Sequence, residues 1–180
     1  MSRTLVLGGA RSGKSTHAEV LANQAALVDY VATSATSPDD PEWVERIALH
    51  RARRPEHWTT IETADVAQVL RTPGEGTVLV DCLGVWATRM MDHSGIWEDR
   101  PGAHEQLQGH VDELVAALEQ TEREVVLVSN EVGQGVVPEH WSGRFFRDQL
   151  GILNSRVAAC CERVVFCVAG IPVAIKDEPR

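Results

Sequence analysis

Gly8-Gly9-Ala10-Arg11-Ser12-Gly13-Lys14-Ser15-Thr16 is the stretch whose reading decides the fold. Its first eight residues match G-x-x-x-x-G-K-[ST]. The apolar run Leu5–Leu7 precedes it, and a helical pattern from Ser15 through Ala26 follows. Strand, loop and helix are therefore in register, which a chance Gly-rich turn does not require. The glycines let the backbone curl so that successive N–H groups point inward at phosphate oxygens. The following helix adds its unpaired N–H groups and the positive end of its dipole. Lys14 is expected to reach the β and γ phosphates, and the Ser15 hydroxyl to hold Mg²⁺.

Working outward, three more β-branched runs recur: Val78–Val80, Val125–Val128 and Val164–Val168, with Val28–Ala32 as a fifth candidate strand. They are nearly uninterrupted rather than alternating, as strands buried on both faces are. Helical spacing fills the intervals, most clearly at Leu107, Val111, Leu114, Val115 and Leu118. His57–Glu62 reads as the start of another strand. Gly170–Ile175 reads as a final edge strand, since Pro172 cannot donate to a central ladder. Alternating strand and helix signals predict a three-layer α/β P-loop domain, with a mostly parallel sheet and helices on both faces. Thr36–Pro41 and His93–Gly102 read as loops. Residues 1–180 read as one nucleotide-binding domain, without linker or repeat.

Composition narrows the partners. The chain has 180 residues, 43% hydrophobic, and a formal net charge of -9. An acidic protein of this kind repels nucleic acid and anionic membrane as a whole. Lysine occurs only at Lys14 and Lys176, so the one inside the Gly-rich loop carries more information. Of the four cysteines, Cys82, Cys160, Cys161 and Cys167, none has zinc-site spacing. Cys160 and Cys161 read as small buried hydrophobes in a helix that leads into a strand. No apolar run reaches the ~20 residues of a membrane span. A strand begins almost at the N-terminus, without room for a signal peptide. The expectation is a reduced, cytoplasmic protein.

Three further segments carry chemistry. Asp81 ends the run Val78–Val80, where the second Mg²⁺-associated carboxylate of P-loop folds sits; capping of the next helix is the alternative, and the metal-associated role is the favoured one. Arg46–Pro55 is strongly basic. As a helix it places Arg46, His50 and Arg53/Arg54 on roughly one face. Such a face could hold phosphates, with His50 as nucleophile or general base. On the residues alone, a solvated helix face with a neutral histidine is the simpler account. Ser129–Glu139 follows a buried strand. Ligands of open α/β sheets bind beyond the carboxyl ends of strands, so this loop is placed to meet an acceptor, or is an ordinary connection.

Taken together, these motifs resemble the bifunctional adenosylcobinamide kinase/adenosylcobinamide-phosphate guanylyltransferase family. The resemblance rests on GGARSGKS at Gly8–Ser15, Ala32-Thr33-Ser34, R-I-x-x-H-R-x-x-R-P at Arg46–Pro55, W-x-x-x-E at Trp58–Glu62 and N-E-V-G-x-G-x-V-P-E at Asn130–Glu139. Gly170-Ile171-Pro172 and Ile175-Lys176 fit as well. It implies a RecA-like core and a homotrimer of cobalamin biosynthesis. It implies phosphorylation of the aminopropanol hydroxyl of adenosylcobinamide by ATP or GTP, then GMP transfer from GTP to adenosylcobinamide phosphate through a guanylylated histidine. That histidine maps onto His50. Nucleotide contacts map onto Gly8, Gly9, Ala10, Arg11, Ser12, Gly13, Lys14, Ser15 and Thr16, onto Ala32, Thr33 and Ser34, onto Arg51, Ala52, Arg53 and Arg54, and onto Glu62 and Asp81. Mg²⁺ maps onto Ser15 and Asp81. The family often has Glu at the position of Asp81, which keeps the charge on a shorter arm. Some members carry two consecutive histidines; here Leu49 precedes His50. Crowding by arginines would favour the neutral imidazole that attack on phosphorus requires.

Two other readings compete. A P-loop kinase without a covalent intermediate would not need His50. A GTP-dependent switch would need a guanine-reading N-K-x-D tetrapeptide, and the sequence has none.

Overall fold

The computed structural model describes residues 2–34 and 54–178. Thr36–Pro41, Arg46, His50, Arg51, Ala52 and Arg53 lie outside the described residues.

The expected strands form. They are β1 (Arg3–Gly8), β2 (Val28–Ala32), β3 (Trp58–Glu62), β4 (Thr77–Asp81), β5 (Glu124–Asn130), β6 (Arg163–Val168) and β7 (Ile171–Asp177). Among the described residues they make one sheet in the order β3-β2-β4-β5-β1-β6-β7. All pairings are parallel except β6 with β7. β5 thus lies between the P-loop strand β1 and β4, the strand that ends at Asp81. β7 is the edge on which Pro172 was expected, and a register shift at Val164/Val165 marks its pairing.

The helices are α1 (Lys14–Ala22), α2 (Val66–Arg71), α3 (Leu83–Ser94), α4 (Ala103–Gln120) and α5 (Trp141–Cys160), with a 3-10 turn at Ile96–Glu98. Buried strands alternate between two cores because successive side chains point to opposite faces. Leu5, Leu7, Val78, Val80, Val125 and Leu127 pack against α2 to α5. Val6, Leu79, Val126, Val128 and Val165 pack against Ala18 and Ala22 of α1. That is the three-layer arrangement. The α4 stripe is buried at Leu107, Val111, Leu114 and Leu118, while Val115 is half-buried against the core.

Local chemistry sets the boundaries. Asp65 caps α2, its carboxylate accepting from Gln68 N at 3.0 Å. Gly95, at φ +74°, ends α3. The stretch His93–Gly102, expected as a loop throughout, therefore begins with the last two residues of a helix; Met91 and Ser94, both buried, extend the core-facing side that holds it. α1 stops at Ala22, four residues short of the expected Ala26, where Asn23 N bonds Glu19 O. Cys160 is the last residue of α5; Cys161 and Cys167 are buried, and Cys82 and Cys160 half-buried.

Candidate nucleotide site at the carboxyl edge of the sheet

The loop after β1 is a formed cradle. Gly13 has φ +89°, and Arg11, although not glycine, sits at φ +54°. A Cβ on Gly8 would lie 2.3 Å from Ser12 Oγ and 2.8 Å from Cys167 O, so only glycine fits there. Lys14 is buried, and its Nζ folds back to donate to Gly9 O at 3.2 Å. The Ser12 hydroxyl is buried without a hydrogen-bond partner among the described residues. Helix α1 starts with no side-chain cap and no acid in its first turn. Its N–H groups and dipole are thus unneutralised, as an anion site requires. Ser15 is half-buried in that first turn, and Arg11 and Thr16 are exposed.

Three further predicted residues fall in one row. Across β3-β2-β4 the register pairs Glu62 with Ala32 and Ala32 with Asp81. Parallel pairing of three strand ends makes this row, though the residues are far apart in sequence. Gly8, at the end of β1, pairs with Asn130. The predicted strand-end residues therefore share one edge of the sheet with the cradle.

Thr33 and Tyr30 fix the Asp81 strand end. Thr33 is fully buried, and its hydroxyl donates to Cys82 O at 2.8 Å while accepting from Cys82 N at 3.0 Å. Arg89 of α3 donates to Thr33 O at 2.8 Å. Tyr30 OH donates to Asp81 Oδ2 at 3.0 Å. Burial, then the Asp81 charge, hold the Tyr30 phenol well above its ordinary value, so it remains a donor. The Arg54 guanidinium lies 3.5 Å from the Tyr30 ring centroid, and its Nη1 donates to Thr60 Oγ1 at 3.0 Å. Ser34 is the last described residue before the basic segment. Burial, with the Asp81 charge second, raises the Cys82 thiol; that side chain is no thiolate nucleophile.

Sequence reasoning singled out the Ser129–Glu139 loop but missed its partners on α5. Ser129 Oγ donates to Asn154 Oδ1 at 2.6 Å, and Asn154 Nδ2 donates to Asn130 O at 3.0 Å. Arg147 donates to Gly133 O, and Arg144 to Pro138 O at 3.1 Å and to Glu139 O. Glu131 N donates to Gly8 O at 3.1 Å. Helix α5 thereby holds the Asn130–Glu139 loop, and the loop touches the cradle. Nothing in the spacing of Arg144, Arg147 and Asn154 announces partners on another segment.

Among the described residues no group of three or more His, Cys, Asp or Glu could hold a metal ion by itself. Mg²⁺ in a P-loop site is bound mainly through phosphate oxygens, with few protein ligands. The Ser15 hydroxyl and the Asp81 carboxylate suit that sparse donor set. No helix among the described residues is long and apolar enough to cross a membrane.

A family profile described as cobinamide kinase / cobinamide phosphate guanyltransferase matches residues 4–175. The chain is 43% identical over 181 residues to the bifunctional adenosylcobalamin biosynthesis protein CobP of Pseudomonas aeruginosa, covering 98% of this chain and 99% of that protein. It is 39% identical to the bifunctional adenosylcobalamin biosynthesis protein CobU of Escherichia coli, covering 96% and 98%. Among solved structures, a prototypical ATPase from the type III secretion system of pathogenic bacteria superposes with a TM-score of 0.58 at 11% identity. It matches 96% of this chain, which spans 56% of that one; the likeness is one of fold.

Proposed function

The chain belongs to the cobinamide kinase / cobinamide phosphate guanyltransferase family, and from that premise we propose how its residues divide the two reactions. The protein is a bifunctional enzyme of adenosylcobalamin biosynthesis. In the first reaction ATP or GTP is held with its β and γ phosphates in the Gly8–Thr16 cradle. The aminopropanol hydroxyl of adenosylcobinamide attacks the γ-phosphorus, the bond from that phosphorus to the β,γ-bridging oxygen breaks, ADP or GDP leaves, and the hydroxyl proton is lost to solvent. Lys14 leaves Gly9 O to meet the phosphate chain, and the Ser12 hydroxyl finds its acceptor there. Mg²⁺, held by Ser15 and Asp81, would neutralise phosphate charge.

In the second reaction a neutral His50 nitrogen attacks the α-phosphorus of GTP. A P–N bond forms and pyrophosphate leaves. An oxygen of adenosylcobinamide phosphate then attacks that phosphorus, the P–N bond breaks, and adenosylcobinamide-GDP is released. Arg51, Arg53 and Arg54 spread the charge that builds on phosphorus oxygens, and Ala32–Ser34 with Ala52 and Glu62 complete the nucleotide contacts. The active form is a cytoplasmic homotrimer.

The observation that carries this reading is the cradle itself. Among the described residues, the buried Ser12 hydroxyl has no hydrogen-bond partner and the buried Lys14 donates to its own loop at Gly9 O, which is costly without an anion to receive them. The test is α-phosphate-labelled GTP with Mg²⁺. Label should stay on the denatured wild-type protein and be absent from His50→Ala, while His50→Ala still phosphorylates adenosylcobinamide. Unlabelled wild-type protein would sink the transferase half and leave a kinase.

A further inference from the structure

The connection between β5 and α5 holds its apolar side chains outward. Val132 is 39% exposed, Val137 62% and Val136 96%. Burying a side chain of this kind is worth roughly 1.5–3 kcal/mol, so a free loop would be expected to collapse onto them. This loop is instead fixed by polar contacts to its backbone. Arg147 and Asn154 lie two helical turns apart on α5, hence on one face. They donate to the carbonyls of Gly133 and Asn130. Arg144 takes the carbonyls of Pro138 and Glu139. At its near end Glu131 N is bonded to Gly8 O, the first residue of the phosphate cradle. The result is an apolar rim with a pinned backbone, continuous with the phosphate site.

We propose that residues 131–137 are the surface that receives the apolar body of the acceptor, and that Arg147 and Asn154 are positioning residues that hold this rim against the cradle. The proposal rests on the function proposed above. An acceptor that presents a hydroxyl or phosphate on a short arm must rest its bulk beside the phosphate site. A corrinoid carries ring methyl groups among its amide arms, and these offer apolar surface for that contact. The donors of α5 touch neither nucleotide nor acceptor; they act through the loop.

The experiment compares the full-length wild type with Arg147→Ala and with the double variant Val136→Ser, Val137→Ser. The second pair is solvent-exposed, so its folding is not at issue. Three quantities are read: GTP affinity by direct binding, KM and kcat for adenosylcobinamide phosphorylation, and molecular mass in solution. Both variants should raise the acceptor KM about tenfold, with GTP affinity and mass within about twofold of wild type. Arg147→Lys, which keeps one donor, should recover part of the lost KM. An unchanged acceptor KM overturns the proposal. So does a parallel loss of GTP affinity, which would make α5 a support of the cradle alone. A changed mass with unchanged KM would make the rim a contact between copies of the chain, which also overturns it. Wild-type protein that fails to phosphorylate adenosylcobinamide would refute the proposed function, and this rim with it.

Discussion

Asp81 ends β4, and the structure supplies a partner for its carboxylate. Tyr30 OH holds one carboxylate oxygen at 3.0 Å. The Tyr30 ring is itself fixed, stacked on Trp58 at 6.2 Å between centroids and covered by Arg54. Tyr30→Phe keeps the ring, the stacking and the Arg54 contact, and removes only the hydroxyl. A hydrogen bond to a charged group is worth about 1.5–3 kcal/mol, part of which water replaces in the variant. The expected outcome is near-normal stability, with the Mg²⁺ concentration for half-maximal GTP binding raised about three- to tenfold. A Mg²⁺ titration against a fluorescent GTP analogue measures it. An unshifted midpoint would show that Asp81 is aimed without Tyr30.

The β6–β7 turn shows what one element does for another. Gly170 N donates to Ser12 O at 2.9 Å, and a Cβ on Gly13 would lie 3.1 Å from Gly170 Cα. The turn backs the cradle from outside. Gly170 sits at φ +79° with nothing within 4 Å of an added Cβ, so Gly170→Ala is strained by its backbone alone. It should cost about 1 kcal/mol in denaturant unfolding and weaken nucleotide binding several-fold. Unfolding lost without any change in affinity would separate the turn from the cradle. Legibility follows the range of the interactions. The cradle, the buried strands and the Pro172 edge were legible because loop chemistry, β-branched runs and a missing donor act over a few residues. The row Glu62–Ala32–Asp81 needed strand order, which no local pattern carries. The α5 donors were invisible because no local pattern around Arg144, Arg147 and Asn154 ties them to backbone carbonyls of another segment. The assignment of His50 rests on the family motif, and that residue lies outside the described part of the chain.

At the scale of the whole molecule, two ion pairs, Arg123–Asp29 and Arg3–Glu162, lie at the end of the strands opposite the ligand chemistry. The candidate site lies at the carboxyl edge. At the amino edge, Arg123, itself buried, pairs with Asp29 at 2.8 Å and donates to Glu75 O at 3.0 Å. Arg3 at the start of β1 pairs with Glu162 just before β6 at 2.7 Å, and donates to Leu118 O of α4 at 3.2 Å. The Arg3 side chain, by hydrogen bond and charge, holds the Glu162 carboxyl down at about 2 against an ordinary 4.5. A depressed carboxylate stabilises the fold above its unfolded value and loses that contribution as pH falls toward its folded value. The window is therefore about pH 4.5 down to about pH 2. Glu162→Gln should be less stable than wild type at neutral pH, by on the order of 1–2 kcal/mol for a pair partly open to water. That difference should shrink steadily between about pH 4.5 and about pH 2, and the two proteins become alike only when the wild-type carboxylate protonates in the folded state near the lower limit. Urea unfolding of both proteins across this range isolates the pair, because every other carboxylate is common to both. GTP affinity at neutral pH should be the same in the two. A difference in stability that is constant with pH would assign the loss to the shape of the glutamine and not to the charge of Glu162. A loss of GTP affinity would show that the two edges are coupled through β1, whose first residue holds Glu162 and whose last opens the cradle.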